Sequence, residues 1–203
     1  QSAQLAAEAL EINADMTVLD MCAAPGGKAA QLAACTPAFL ALLDVVPERL
    51  KPIEELLQRQ GLVGDKVVLH ACDATQALPD GLPLLFDAVL LDAPCSATGI
   101  IRRQPDIKWH RQVKDIDQLN TLQWRLLKNA WRYLKPGGRL MYSTCSVLKA
   151  ENELLIDSFL KQNSDACAID LGDRYGRVSG AGRQRFPGED GGDGFYYALL
   201  QKA

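Results

Sequence analysis

Four short apolar runs end on, or just before, an aspartate: Thr17-Val-Leu-Asp20, Phe39-Leu-Ala-Leu-Leu-Asp44, Val67-Val-Leu-His70 with Asp73 just beyond, and Asp87-Ala-Val-Leu-Leu-Asp92. Runs of this length, bounded by turn residues and interleaved with helical segments, read as strands of a mostly parallel, doubly wound α/β sheet. Helical spacing is expected over 1–10, from Lys28 to about Ala34, over 48–60 and 119–134, and over 151–162. A fifth strand runs from Arg139 to Val147 and carries Cys145, and an aromatic one closes the chain from Phe195 to Leu200. The stretches 97–116 and 172–194 are polar and read as loops. Ligands of open α/β sheets bind at the carboxyl ends of the strands, where these aspartates and Cys145 fall.

The 203 residues suit one domain over 1–203, expected to bury roughly 70% of the unfolded surface. The first helix starts without a cap or run-in, as in a piece of a longer protein. No apolar run approaches the roughly 20 residues a membrane span needs, and no signal peptide is visible, so a cytoplasmic chain without a membrane partner is expected. Six cysteines without a C-x-x-C pair, and only two histidines, give neither a disulfide framework nor a zinc site, and no metal is expected. The net charge of −3 provides no overall basic footprint, so a polyanion would have to meet a local patch. A monomer is expected.

The first strand leads into Cys22-Ala23-Ala24-Pro25-Gly26-Gly27-Lys28. Strand, Gly-rich turn and helix form a binding element for a ligand lying close to backbone. The dinucleotide fingerprint G-x-G-x-x-G is absent, and Lys28 lacks the spacing and the Ser/Thr of a phosphate-binding P-loop. Asp44 stands where an acid can accept both ribose hydroxyls, and Asp73 suits an adenine edge. A nucleoside without a pyrophosphate fits best, with S-adenosylmethionine (SAM) the common one. Each aspartate alone is equally well a helix cap or a solvated turn.

Two thiols close two apolar strands, in Asp92-Ala-Pro-Cys95-Ser96 and Ser143-Thr-Cys145-Ser146. If those strands are neighbours, both thiols face one cleft. That suits methylation of a pyrimidine at C5, because a thiolate adding at C6 makes C5 nucleophilic enough to take a methyl group. A lone cysteine is more often a small buried hydrophobe. Residue chemistry alone leaves open which thiol attacks, and Pro94-Cys95 is itself a pairing used by DNA cytosine-C5 methyltransferases.

The motifs Asp20-Met-Cys-Ala-Ala-Pro-Gly-Gly-Lys28, Asp92-Ala-Pro-Cys-Ser96, Ser143-Thr-Cys-Ser146 and Phe186-Pro-Gly with Asp193-Gly-Phe195 cover most of the chain. Together they resemble the RNA cytosine-C5 methyltransferases of the NOL1/NOP2/Sun family. Within it, Thr98 to Trp109 is similar to the bacterial members that act on small-subunit rRNA. The resemblance implies a Rossmann-like class I SAM-dependent fold with seven mostly parallel strands and helices on both faces. It implies SAM cradled by Cys22, Ala23, Ala24, Pro25, Gly26, Gly27 and Lys28, with ribose on Asp44 and the adenine region on Asp73. Asp92 is implied to lie near the cofactor and target base, and Lys28 to reach toward that base. Cys145 becomes the nucleophile and Cys95 the thiol that assists product release. The implied substrate is 16S rRNA, at cytosine position 967. Full-length members carry a helical N-terminal RNA-binding region. Ala29 and Val46 depart from the family, which often has Thr and an acid there.

The loop after Cys95 gathers Arg102, Arg103, Lys108, His110, Arg111 and Lys114 around Pro105 and Trp109. Of these, Arg102, Arg103, Lys108 and Trp109 are the expected RNA contacts, since cations hold phosphates and an aromatic stacks a splayed base. Arg174, Arg177, Arg183 and Arg185 form a second basic stretch in what reads as a flexible tail. Competing readings are the same chemistry on tRNA or another rRNA cytosine, an inactive SAM- and RNA-binding scaffold, and a NAD-dependent oxidoreductase. The last is disfavoured by the missing fingerprint, and a scaffold would need neither thiol.

Overall fold

The computed structural model describes residues 2–203, so Gln1 of the first expected helix lies outside the described residues. The elements are α1 (Ser2–Glu8), β1 (Thr17–Asp20), α2 (Gly27–Ala34), β2 (Phe39–Asp44), α3 (Leu50–Arg59), β3 (Val67–Ala71) and β4 (Phe86–Asp92). They continue with α4 (Ile107–His110), α5 (Val113–Arg132), β5 (Leu134–Thr144), α6 (Glu153–Gln162), β6 (Ala166–Ile169), β7 (Arg177–Ser179), β8 (Gly182–Arg185) and β9 (Phe195–Lys202).

Strands pair in the order β3-β2-β1-β4-β5-β9-β8-β7, and β6 also pairs with β9. The first five are mutually parallel. β9 runs antiparallel to β5, β6 and β8. Side chains alternate between two cores, as period-2 strands require. Val18, Leu40, Leu42, Leu90, Met141 and Tyr197 face α1, α2 and α3. Leu19, Ala41, Leu43, Val89, Leu91, Leu140, Tyr142 and Tyr196 face α5 and α6. Helices therefore cover both faces, the Rossmann-like architecture expected of the sequence.

Three details depart from expectation. Among the described residues the sheet has nine strands rather than seven. The far edge of β9 is shared, with β6 on Leu199–Lys202 and β8 on Phe195–Tyr197, and β7 folds back on β8. The supposed tail thus includes a hairpin, and its arginines are engaged: Arg174 with Glu8, Arg177 with Glu189, Arg183 with Asp170 and Asp173, and Arg185 with Asp190. Second, α5 begins at Val113, not Leu119, because Gln112 and Asp115 form a reciprocal capping box ahead of the apolar periodicity. Third, β5 starts at Leu134 and ends at Thr144, so Cys145 is the first residue past the strand rather than inside it. No helix among the described residues is long and apolar enough to cross a membrane.

Candidate active site

The chain crosses from β3 to the other side of β1 when it enters β4, so the sheet's switch point lies between β1 and β4. Asp20 and Asp92 end those two strands. β4 pairs with β5 in a register that sets Asp92 opposite Ser143. Two strands ending level put the loops that follow them side by side. Hence Cys95 Sγ lies 3.4 Å from Cys145 Sγ although 50 residues separate them in sequence.

The two thiols differ in acidity. Cys145 is held below the ordinary thiol value, first by its hydrogen-bonded contact with Cys95 and also by the nearby Lys28, against burial and Asp92. Cys95 is pushed well up, by the same contact with Cys145 and by burial. Of the two, Cys145 is the more readily ionised. Cys22, by contrast, is pushed far up by burial and then by Asp20, and is an inert thiol beside the site.

Asp92 is fixed from both sides. Its Oδ1 accepts a hydrogen bond from Ser143 Oγ at 2.7 Å, and its Oδ2 pairs with Lys28 Nζ at 2.5 Å. Lys28 Nζ also sits 5.5 Å above the Phe195 ring. Behind it Asp20 is buried, and its carboxyl is raised to about 7, mainly by burial and then by Asp92.

A cleft of about 410 Å³ joins both thiols to Asp44, Asp73, Asp92 and Arg49. A neighbouring cavity of about 160 Å³ runs along the Ala23 to Lys28 loop. In that loop the Ala23 amide donates to Leu43 O at 2.8 Å and the Gly26 amide to Ala23 O at 2.9 Å. The backbone donors left for a ligand are therefore those of the first turn of α2. Gly26 adopts φ +106, and a Cβ there would press against Ile53. Asp44 is buried and accepts from the Val46 amide at 3.0 Å, while Arg49 lies 3.4 Å from its Oδ2. Asp73 is exposed, and the Thr75 amide bonding to it lowers its pKa. The Asp44 and Asp73 carboxylates, with the donors opening α2, fit an elongated nucleoside carrying hydroxyl, amino and carboxylate groups. Among the described residues, no group of three His, Cys, Asp or Glu side chains is placed to hold a metal ion.

The loop after Cys95 is stitched to the rest of the site. The Gly99 amide donates to Cys145 O and the Gly194 amide to Gly99 O, each at 2.8 Å. A Cβ at Gly99 would collide with the Gly194 carbonyl and lie 2.8 Å from that of Cys145. Of the four expected RNA contacts, Arg102, Lys108 and Trp109 are exposed, with Lys108 Nζ 5.1 Å over the Trp109 ring. Arg103 is different: its guanidinium makes a bidentate pair with Asp193, at 3.0 and 2.7 Å. Arg111 Nε donates to Ser96 O at 2.9 Å, so this cation also supports the loop.

Three residues escaped the sequence reading. Arg49 is one. Glu151, read only as the start of a helix, accepts hydrogen bonds from Ser96 and Ser146, the residues that follow the two cysteines. Asn152 bonds Thr144, Ser146 O and Gln184. The one signal available was the crowd of hydroxyls at Ser96, Thr98, Thr144 and Ser146, which needs buried partners once the cysteines are brought together.

The family model described as 16S rRNA methyltransferase RsmB/F matches residues 7–201. The chain is 54% identical to the ribosomal RNA small subunit methyltransferase B of Xanthomonas campestris, over 100% of this chain and 46% of that protein. The crystal structure of PH0851 superposes with a TM-score of 0.93 at 34% identity, covering 100% of this chain and 46% of the other. That of NSun6 from Pyrococcus horikoshii with SFG gives 0.87 at 30% identity, over 99% and 51%. The chain spans about half the length of the curated relatives it matches, 46% for the Xanthomonas protein.

Proposed function

Because the chain belongs to the 16S rRNA methyltransferase RsmB/F family, we propose that it is the catalytic part of an enzyme that methylates C5 of a cytosine in 16S rRNA, through a covalent adduct between Cys145 and C6. SAM, when bound, supplies the methyl group. The observation that carries this reading is the pair of thiols 3.4 Å apart, with opposite shifts in acidity, in a cleft shared with Asp44, Asp73 and Asp92.

Cys145, whose thiol is held below its ordinary value beside Cys95, is the attacking group in this reading. Adding to C6, it leaves C5 enamine-like and able to take a methyl group. Loss of the C5 proton to solvent water leaves its bonding pair to re-form the C5–C6 double bond, which breaks the C6–S bond and expels the Cys145 thiolate. The Cys95 S–H, already donating to that sulfur, stabilises the charge as it returns and so assists release. Asp92, immobilised by Lys28 and Ser143, accepts a hydrogen bond from the cytosine amino group and holds the ring against Cys145. Asp44 binds the ribose hydroxyls of SAM, Asp73 the adenine edge, and the loop from Cys22 to Lys28 the amino-acid end. Arg102, Lys108 and Trp109 meet the RNA. Position 967 is the proposed target, on a chain that acts in the cytoplasm as a monomer.

The test is incubation with 16S rRNA and methyl-labelled SAM, followed by mapping of the label. Label at C5 of a cytosine, abolished by Cys145→Ala, is expected. Label on a ring nitrogen or exocyclic amine, or label that survives Cys145→Ala, would contradict the reading.

A further inference from the structure

Asp92 ties the ends of β4 and β5 through Ser143, but the residues that follow the two cysteines, whose sulfurs lie 3.4 Å apart, are tied by a group outside the reaction. Glu151 ends a short turn before α6 and is fully buried. Its Oε1 accepts hydrogen bonds from the Ser96 amide at 2.8 Å and from Gln123 Nε2 at 3.0 Å. Its Oε2 accepts from Ser96 Oγ at 2.6 Å and Ser146 Oγ at 2.5 Å. Gln123 Nε2 also donates to Pro94 O at 2.9 Å, just before Cys95. Ser96 Oγ and Ser146 Oγ also lie 3.1 Å apart, and since a hydroxyl has one proton, neither donates to the other while both donate to Glu151. Leu148 N donates to Ser146 Oγ at 3.0 Å, and the Thr98 hydroxyl lies 3.1 Å from Ser146 Oγ and 3.2 Å from Ser96 Oγ.

None of the ion pairs among the described residues includes Glu151. A buried carboxylate without a cation is costly to keep, and an apolar side chain of similar volume would join two loops at lower cost. What the carboxylate provides is register: two oxygens fix the residue after each cysteine at once. We propose that Glu151 is a positioning residue, a buried clamp that holds the Cys95 and Cys145 loops in contact so that one thiol can donate to the other. This inference rests on the proposed methyl transfer, in which the two sulfurs have separate tasks. If the clamp opens, Cys145 loses the S–H bond that favours its thiolate and reverts toward an ordinary thiol.

The test needs no RNA. The rate of iodoacetamide labelling of the Cys145 peptide is followed by mass spectrometry against pH in wild type and Glu151→Gln, with thermal melting alongside. The clamp predicts that the labelling midpoint moves up by about one pH unit, a roughly tenfold loss of thiolate at neutral pH. A variant with a lowered melting temperature but an unmoved midpoint would make Glu151 merely structural and overturn the proposal. Ser146→Ala, which removes one of the four hydrogen bonds and no charge, must shift the midpoint in the same direction by less. It decides the matter if Glu151→Gln fails to fold. A shifted midpoint in a chain that transfers no methyl group would sink the proposed function and leave the clamp standing. An unmoved midpoint with methyl transfer intact would sink the clamp alone.

Discussion

At the scale of single residues, Asp20 is the carboxyl group most disfavoured from ionising. Burial and the neighbouring Asp92 raise it from its ordinary 3.8 to about 7. The folded state therefore keeps a proton that the unfolded state has released between those values. Linkage gives the sign: stability from this group is fully present below pH 3.8 and is lost as pH rises through about 7. Melting temperatures of wild type and Asp20→Asn across this range should show a downward slope in wild type that the variant lacks. Parallel curves would mean that Asp20 ionises freely. The residues proposed to carry the chemistry were legible because their types are rare and their motifs specific, as with Cys145, Cys95, Asp92 and Lys28. Glu151 was not, since a glutamate opening an apolar helix looks like an ordinary N-terminal acid. Its proposed role exists only once Ser96, 55 residues before it, is folded against it.

At the scale of elements, the level ends of β4 and β5 create the site, and the sequence showed both strands without their register. What it misjudged was polar sequence. The segment 97–116 reads as a solvated loop, yet it contains α4, opens α5, and is pinned to Cys145 O, Ser96 O and Asp193. The segment 172–194 hides β7 and β8, whose residues, Val178 apart, are polar or glycine and pair through backbone at a sheet edge. Charge counting treated Arg102 and Arg103 as equals, but the Asp193 pair separates them. Arg102→Ala should reduce the slope of log binding constant against log salt for RNA by about 0.7 to 0.9, the value for one phosphate contact. Arg103→Ala should leave the slope unchanged and slow methyl transfer instead, because the Cys95 loop loses its tie to the tail. Filter binding at several salt concentrations distinguishes them, and equal slope changes for the two variants would return Arg103 to the RNA.

For the molecule as a whole, a net charge of −3 gives no general attraction to a polyanion. Among the described residues most arginines of the closing hairpin are spent on internal pairs. The exposed cations and Trp109 beside the Cys95 loop are the remaining local patch, and the chain is about half as long as its curated relatives, 46% for the Xanthomonas protein. The fold brings two thiols together beside a cleft lined by Asp44, Asp73 and Asp92. The central claim is that these thiols divide attack and release. Small-subunit rRNA carrying 5-fluorocytosine at the target tests it directly, because fluorine at C5 cannot leave as a proton and the adduct persists. With SAM present, denaturing electrophoresis should show a covalent protein–RNA band for wild type and none for Cys145→Ala, while Cys95→Ala should give such a band even on ordinary rRNA. A band that survives Cys145→Ala and disappears with Cys95→Ala would contradict the account.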